Sequence, residues 1–113
     1  MPSSRSRQAL LDIRDNIRLA REFTAGISFE KFQADRRTFY AVTRCLEIIS
    51  EASRRLDEEI RNRHGQLPWR AIMAAGNVYR HDYENIAEQF VWRTISESLP
   101  KLLAMAEKEL DAK

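Results

Sequence analysis

The sequence predicts an all-α protein, an up-and-down four-helix bundle with a long second helix. Three observations carry that reading. Apolar residues recur at spacings of three and four along most of the chain. No stretch sustains the alternation of a strand, and no two-residue turn is flanked by strand-like runs. Three glycines and three prolines in 113 residues leave little room for hairpins. There is no internal repeat and no low-complexity tract. The length is that of one domain over residues 1–113, with residues 1–6 expected as a disordered start. Such a chain buries about two-thirds of the surface it exposes when unfolded, enough for one core without metal or disulfide.

The first helix is expected from about Ser6 to Ala25, with Leu10, Ile13, Ile17, Ala20 and Phe23 as its buried stripe. Gly26 stands where a glycine just past a helix ends it. Residues 27–34 form a short connector whose Phe29 and Phe32 plug the underside of the core. The second helix is expected from Asp35, a suitable N-cap, to about His64. Phe39, Val42, Leu46, Ile49, Leu56 and Ile60 make its stripe, and Gly65 stops it. A helix of that length spans about 45 Å, which is long for so small a domain and calls for a partner chain to cover it. Pro68 suits the first position of the third helix, whose core side is Trp69, Ile72, Met73 and Tyr79. The last helix starts near Asn85. Pro100 falls inside it, removes a hydrogen bond to Ser96 and is expected to kink it.

Composition narrows the function. The net charge is only +2, so global charge does not point to nucleic acid. Fifteen of the nineteen cations are arginines, residues that fork onto phosphates and carboxylates, although codon bias in a GC-rich genome produces the same excess. The single cysteine, Cys45, lies within an apolar pattern and reads as a small hydrophobe. No apolar run approaches the length of a membrane span, and the start lacks the apolar stretch of a secretory signal. A cytoplasmic protein without membrane contact is expected.

Chemistry concentrates in Gly76-Asn77-Val78-Tyr79-Arg80-His81-Asp82-Tyr83. His81 is one of two histidines, and an imidazole changes charge near neutral pH. Arg80 beside it can hold a phosphate. On a helix Asn77 and His81 share a face, as do Gly76 and Arg80. An imidazole beside a phosphate binder suggests metal-independent cleavage of RNA. The plainer alternative is a helix end carrying polar side chains into water. His64, beside Gly65, reads as a structural cation at a helix end. Arg54 with Glu58 and Asp57 with Arg61 read as surface ion pairs. There is no Gly-rich nucleotide loop and no Cys/His metal spacing, so neither metal nor cofactor is expected.

The chain also resembles the HepT-like proteins of the HEPN superfamily. The likeness covers nearly the whole sequence. Residues Leu11 to Ile17 resemble the family's first helix, and Phe32-Gln33-Ala34-Asp35 its F-x-x-D turn. The run from Ala41 to Ala52 is similar to its long-helix signature, with Ser50 in place of the glycine of G-E-A. Leu67-Pro68-Trp69-Arg70-Ala71-Ile72 resembles its P-W-x-x-I, and His81-Asp82-Tyr83 its H-x-Y. Val91-Trp92 and Leu99-Pro100-Lys101-Leu102 resemble its closing V-W and L-P-x-L.

The resemblance implies a homodimer with a metal-independent ribonuclease site, built from R-x4-6-H motifs of two chains. It implies a toxin whose antitoxin is a minimal nucleotidyltransferase that attaches AMP to Tyr83. It also exposes a departure, because positions 74 to 76 hold Ala74, Ala75 and Gly76 where the motif arginine is expected. Arg80 is the nearest substitute. The expected function is an RNA endonuclease toxin with His81, Arg80 and Asn77 as catalytic residues. The alternative is a degenerate dimer that binds a partner or RNA without cleaving it.

Overall fold

The computed structural model describes residues 2–81 and 85–112, and over 76–81 and 85–87 it describes the backbone. The described residues form helices α1 (Ser4–Thr24), α2 (Phe29–Ala34), α3 (Arg36–Arg55), α4 (Glu58–Arg63), α5 (Trp69–His81), α6 (Asn85–Arg93) and α7 (Leu99–Asp111). A π-helical turn, Thr94–Ser98, joins α6 to α7. Helix α3 packs on both α1 and α5, and α7 packs on α1. The all-α class is as the spacing predicted.

Helix α1 starts at Ser4, inside the stretch expected to be a disordered start, because Ser3 caps it. The Ser3 hydroxyl accepts from the Ser6 amide at 3.1 Å. Its buried stripe is Ala9, Leu10, Ile13, Ile17 and Ala20, and it continues through Thr24. Phe23, expected in that stripe, is 41% exposed. Thr24 takes the inward position by turning its hydroxyl onto the Ala20 carbonyl at 3.0 Å, which satisfies it internally. Gly26 then breaks the chain direction at φ 75°, a left-handed value glycine adopts without penalty.

The connector after it contains helix α2, capped by the Ser28 hydroxyl. Phe32 is fully buried, with its ring 5.9 Å from Phe39 and 5.1 Å from Trp92. Asp35 caps α3 by accepting from the Thr38 amide at 3.2 Å and the Thr38 hydroxyl at 2.8 Å. These bonds, the hydroxyl's first, hold its carboxyl below the ordinary aspartate range. Phe39, Val42, Cys45, Leu46, Ile49 and Ala52 face the core. Burial pushes the Cys45 thiol up, which suits a packing role.

The long second helix expected from Asp35 to His64 is two helices. Helix α3 ends at Arg55, and Leu56 and Asp57 are extended, with ψ of 141° and 143°. Tertiary contacts impose the break. The buried Ser6 hydroxyl of α1 accepts from the Asp57 amide at 3.0 Å, and the Ser3 hydroxyl donates to the Asp57 carboxylate at 2.9 Å. Arg61 donates to the Leu56 carbonyl at 2.6 Å rather than pairing with Asp57. Leu56 and Ile60 stay buried on either side of the break. At 20 residues, α3 no longer supplies the argument from helix length for a partner chain.

Pro100 sits in the first turn of α7, directly after the π-helical turn. A proline cannot donate to the carbonyl four residues back, and its ring crowds that carbonyl. The turn widens instead, and the Leu99 amide reaches the Thr94 carbonyl five residues back.

His64 is buried between α4 and α7. Its Nε2 lies 2.7 Å from Glu109 Oε2, while Arg63 donates to Glu109 Oε1 at 2.7 Å. This cluster, rather than the helix dipole alone, gives His64 its structural role. The Arg63 bond, ahead of the His64 bond, holds the Glu109 carboxyl below the usual glutamate range against the opposing effect of burial. A depressed carboxyl stabilises the fold above its unfolded value, and that stabilisation is lost as pH falls through the folded value. Glu109→Gln should therefore lower stability at neutral pH by about 1.5–3 kcal/mol. It should also flatten the loss of stability from about pH 5 to about pH 3. Urea midpoints of both proteins across that range check this. Parallel pH profiles would show that Glu109 does not carry the acid sensitivity.

Candidate functional site

Helix α5 carries the candidate site, and the contacts at its start fix where it runs. The Trp69 indole donates to the Arg61 carbonyl at 3.1 Å and the His64 carbonyl at 3.0 Å, tying the first turn of α5 to the end of α4. The Ile72 amide closes that turn onto the Pro68 carbonyl at 3.0 Å. Ile72 and Ala75 then pack against the core.

The helical backbone continues through Gly76 and Asn77 to His81. The spacing on which the site depends is therefore in place, with Asn77 four residues before His81 and Gly76 four before Arg80. In helical register Met73, Asn77, Arg80 and His81 fall within an arc of about 100°. The side chains of Asn77, Arg80 and His81 lie outside the described residues, as does Tyr83 altogether. Gly76 lies inside the helix, where glycine costs about 1 kcal/mol relative to alanine.

Two side chains of α3 reach the turn just before the motif. The buried Ser50 hydroxyl lies 2.9 Å from both the Ile72 and the Met73 carbonyl oxygens, and its single hydrogen serves either. Arg54 Nη1 donates to the Met73 carbonyl at 2.6 Å. The expected surface pairing of Arg54 with Glu58 does not form. Arg54 lies on the α5 side of α3, so the nearer acceptor is the α5 backbone. Sequence spacing within one helix could not reveal this, because it reports neighbours on that helix alone. The replacement of the signature glycine by Ser50 was the available hint.

A second link runs from α3 to α6, on the far side of the motif. Arg36 pairs with the buried Glu88 at 2.9 Å. The same guanidinium lies 4.7 Å from the centre of the Phe39 ring and 5.3 Å from that of Tyr40. Helix α3 thus holds α5 before His81, through Ser50 and Arg54, and α6 after it, through Arg36. Between them a cavity of about 210 Å³ opens, lined among others by Ile49, Ser50, Ile72, Phe90 and Leu99. Its walls are mostly apolar, so it offers packing surface rather than acid–base chemistry.

Among the described residues, no group of three His, Cys, Asp or Glu side chains could hold a metal ion. No helix there is long and apolar enough to cross a membrane. The described geometry near the motif is thus the helical backbone of α5 with the Ser50 and Arg54 side chains of α3 on its Ile72 and Met73 carbonyls.

Comparison with known proteins shows the family of the chain. The family model described as "Ribonuclease HepT-like" matches residues 13–109. A Thermococcus cleftensis protein named "Probable ribonuclease HepT" is 37% identical over 99 residues, covering 88% of this chain and 90% of that protein. A Methanocaldococcus jannaschii protein named as a candidate RNase is 32% identical over 100 residues, covering 88% of this chain and 83% of its own length. Another such protein, from Caldanaerobacter subterraneus, is 37% identical over 81 residues, covering 72% of each. No solved structure matches the chain. With the match spanning α1 to α7 and including the helix that bears Asn77 and His81, the chain belongs to the HepT-like ribonuclease family.

Proposed function

We propose that this protein is a metal-independent RNA endonuclease, the toxin of a pair whose antitoxin is a minimal nucleotidyltransferase. The observation that carries the reading is the unbroken helical backbone of α5, which sets Asn77, Arg80 and His81 in one register. His81 takes the 2′-hydroxyl proton, or returns one to the leaving oxygen, as a group titrating near neutral pH can. The 2′-oxygen attacks phosphorus and the bond to the 5′-oxygen breaks. The products are a 2′,3′-cyclic phosphate and a free 5′-hydroxyl. Arg80 stabilises the charge that builds on the phosphate, and Asn77 helps hold it. No metal or other cofactor is needed, since an internal nucleophile replaces activated water. Two copies of His81 facing one cleft in a homodimer would supply base and acid together.

Gly76 favours a second reading. An arginine is expected within positions 74–76, and none is there. A dimer that binds RNA or its partner without cutting would tolerate that loss. The two readings separate on purified protein incubated with tRNA and mRNA. Under the first, cleavage persists in chelator and leaves cyclic-phosphate ends. His81→Ala abolishes it, and Arg80→Ala lowers the rate about 10²–10³-fold. Full activity in Arg80→Ala would remove that residue from the site. RNA left intact by the wild type would favour the second reading.

Tyr83, two residues past His81, is the proposed acceptor of AMP from the partner enzyme. Co-expression with the cognate nucleotidyltransferase should add the mass of AMP to the peptide containing Tyr83 and suppress cleavage. An unchanged peptide mass would end that account. The composite site also requires two chains, so light scattering at micromolar concentration should report a dimer. A monomeric mass would leave each His81 without its counterpart.

A further inference from the structure

We propose that Arg54 of α3 is a phosphate-binding residue of the RNA site, supplying from a neighbouring helix a cation that α5 lacks at position 76. The inference rests on the RNA reading above. Its geometric basis is the 2.6 Å hydrogen bond from Arg54 Nη1 to the Met73 carbonyl. Helical side chains lean toward the N-terminus, so a side chain at position 76 would lie over the carbonyls three and four residues before it. Those are the carbonyls of Met73 and Ile72, the two oxygens that Arg54 and Ser50 approach. Gly76 brings no side chain of its own to that strip of helix surface. The Arg54 guanidinium therefore occupies the ground an arginine at 76 would cover, reaching it from α3.

The rest of the geometry suits a phosphate contact. Met73 shares its helical register with Asn77 at four residues and His81 at eight, so the guanidinium sits beside the start of the Asn77–His81 face. A guanidinium has five N–H donors in a planar fork, so one held by a carbonyl leaves others to meet a phosphate. Among the described residues no carboxylate pairs with Arg54, and the residue is exposed, so its charge is available to a ligand. The hydrogen bond to Met73 fixes one edge of the guanidinium in advance, which reduces the ordering that binding requires. Position 80 of α5 falls in the same helical register as Met73 and Asn77.

Two conservative variants separate charge from architecture. Arg54→Lys and Arg54→Gln each keep an N–H donor for the Met73 carbonyl, but only lysine keeps the charge. A fluorescent single-stranded 2′-O-methyl RNA, which lacks the nucleophilic hydroxyl and is not cut, reports binding across a salt series. The slope of log K against log salt should shrink by about 0.7 for Arg54→Gln and stay near wild type for Arg54→Lys. With cleavable RNA, Arg54→Gln should lose about 10²–10³-fold in kcat/KM. An unchanged slope in Arg54→Gln overturns the proposal, including where melting shows that variant only to be less stable. His81→Ala keeps the two claims apart. If it abolishes cleavage while Arg54→Gln cuts like wild type with its slope intact, the nuclease reading stands and the Arg54 site falls. If the wild type binds without cutting and Arg54→Gln still loses slope, the phosphate site stands and the nuclease reading falls.

Discussion

Helix α3 must be covered on two sides at once, and the rest of the molecule follows from how that is done. Its apolar stripe of Val42, Cys45, Leu46, Ile49 and Ala52 is too broad for a single neighbour. Helix α1 covers one flank with Leu10, Ile13 and Ile17, and α5 takes the other through Ile72 and Ala75. Burying a leucine or isoleucine side chain contributes about 1.5–3 kcal/mol, so this shared stripe is the main source of stability. It also fixes the position of α5, the helix that ends in His81. The candidate site is thus located by packing well before any of its own chemistry is involved.

Polar contacts refine what packing sets. Ser50, buried in the α3–α5 seam, turns its hydroxyl to the Ile72 and Met73 carbonyls that lie opposite. A buried hydroxyl without such a partner would cost about 1–3 kcal/mol, so the seam has one favoured register along the helix axis. Ser6 plays the same part at the other seam. Its hydroxyl accepts the Asp57 amide, turning a residue that could have continued α3 into the start of a new direction. That turn brings His64 and Arg63 to Glu109 on α7. The chain ends are thereby tied together, with α1 and α7 both held to the α3–α4 corner.

The helix that carries the candidate site was legible from local spacing. Asn77, Arg80 and His81 stand at helical intervals, and the backbone bears that spacing out. Arg54 was not legible. Spacing within its own helix assigned it to Glu58, four residues on, whereas its hydrogen bond is to a carbonyl 19 residues away. No periodic pattern reports a contact between two helices. Phe23 and Thr24 make the same point within the core. Hydropathy favours the phenyl ring for the inward position, yet the α1 surface at that level turns Thr24 inward, because its hydroxyl can bond back to Ala20.

By itself the sequence determined the helical class, the apolar stripes, the caps at Asp35 and Gly26 and the cluster of polar residues ending in His81. All of these are set by interactions within a few residues, which spacing and side-chain type record directly. Tertiary structure decided where α3 stops, how the chain absorbs Pro100, and which arginine lies beside α5. The break at Leu56 and Asp57 exists because Ser3 and Ser6, more than fifty positions earlier, offer better partners than another helical turn would. The widened turn before Pro100 lets the Leu99 amide find an acceptor one residue further back than an α-helix would provide. Arg54 meets α5 because two helices lie side by side, and that adjacency is a property of the packed core rather than of any segment within it.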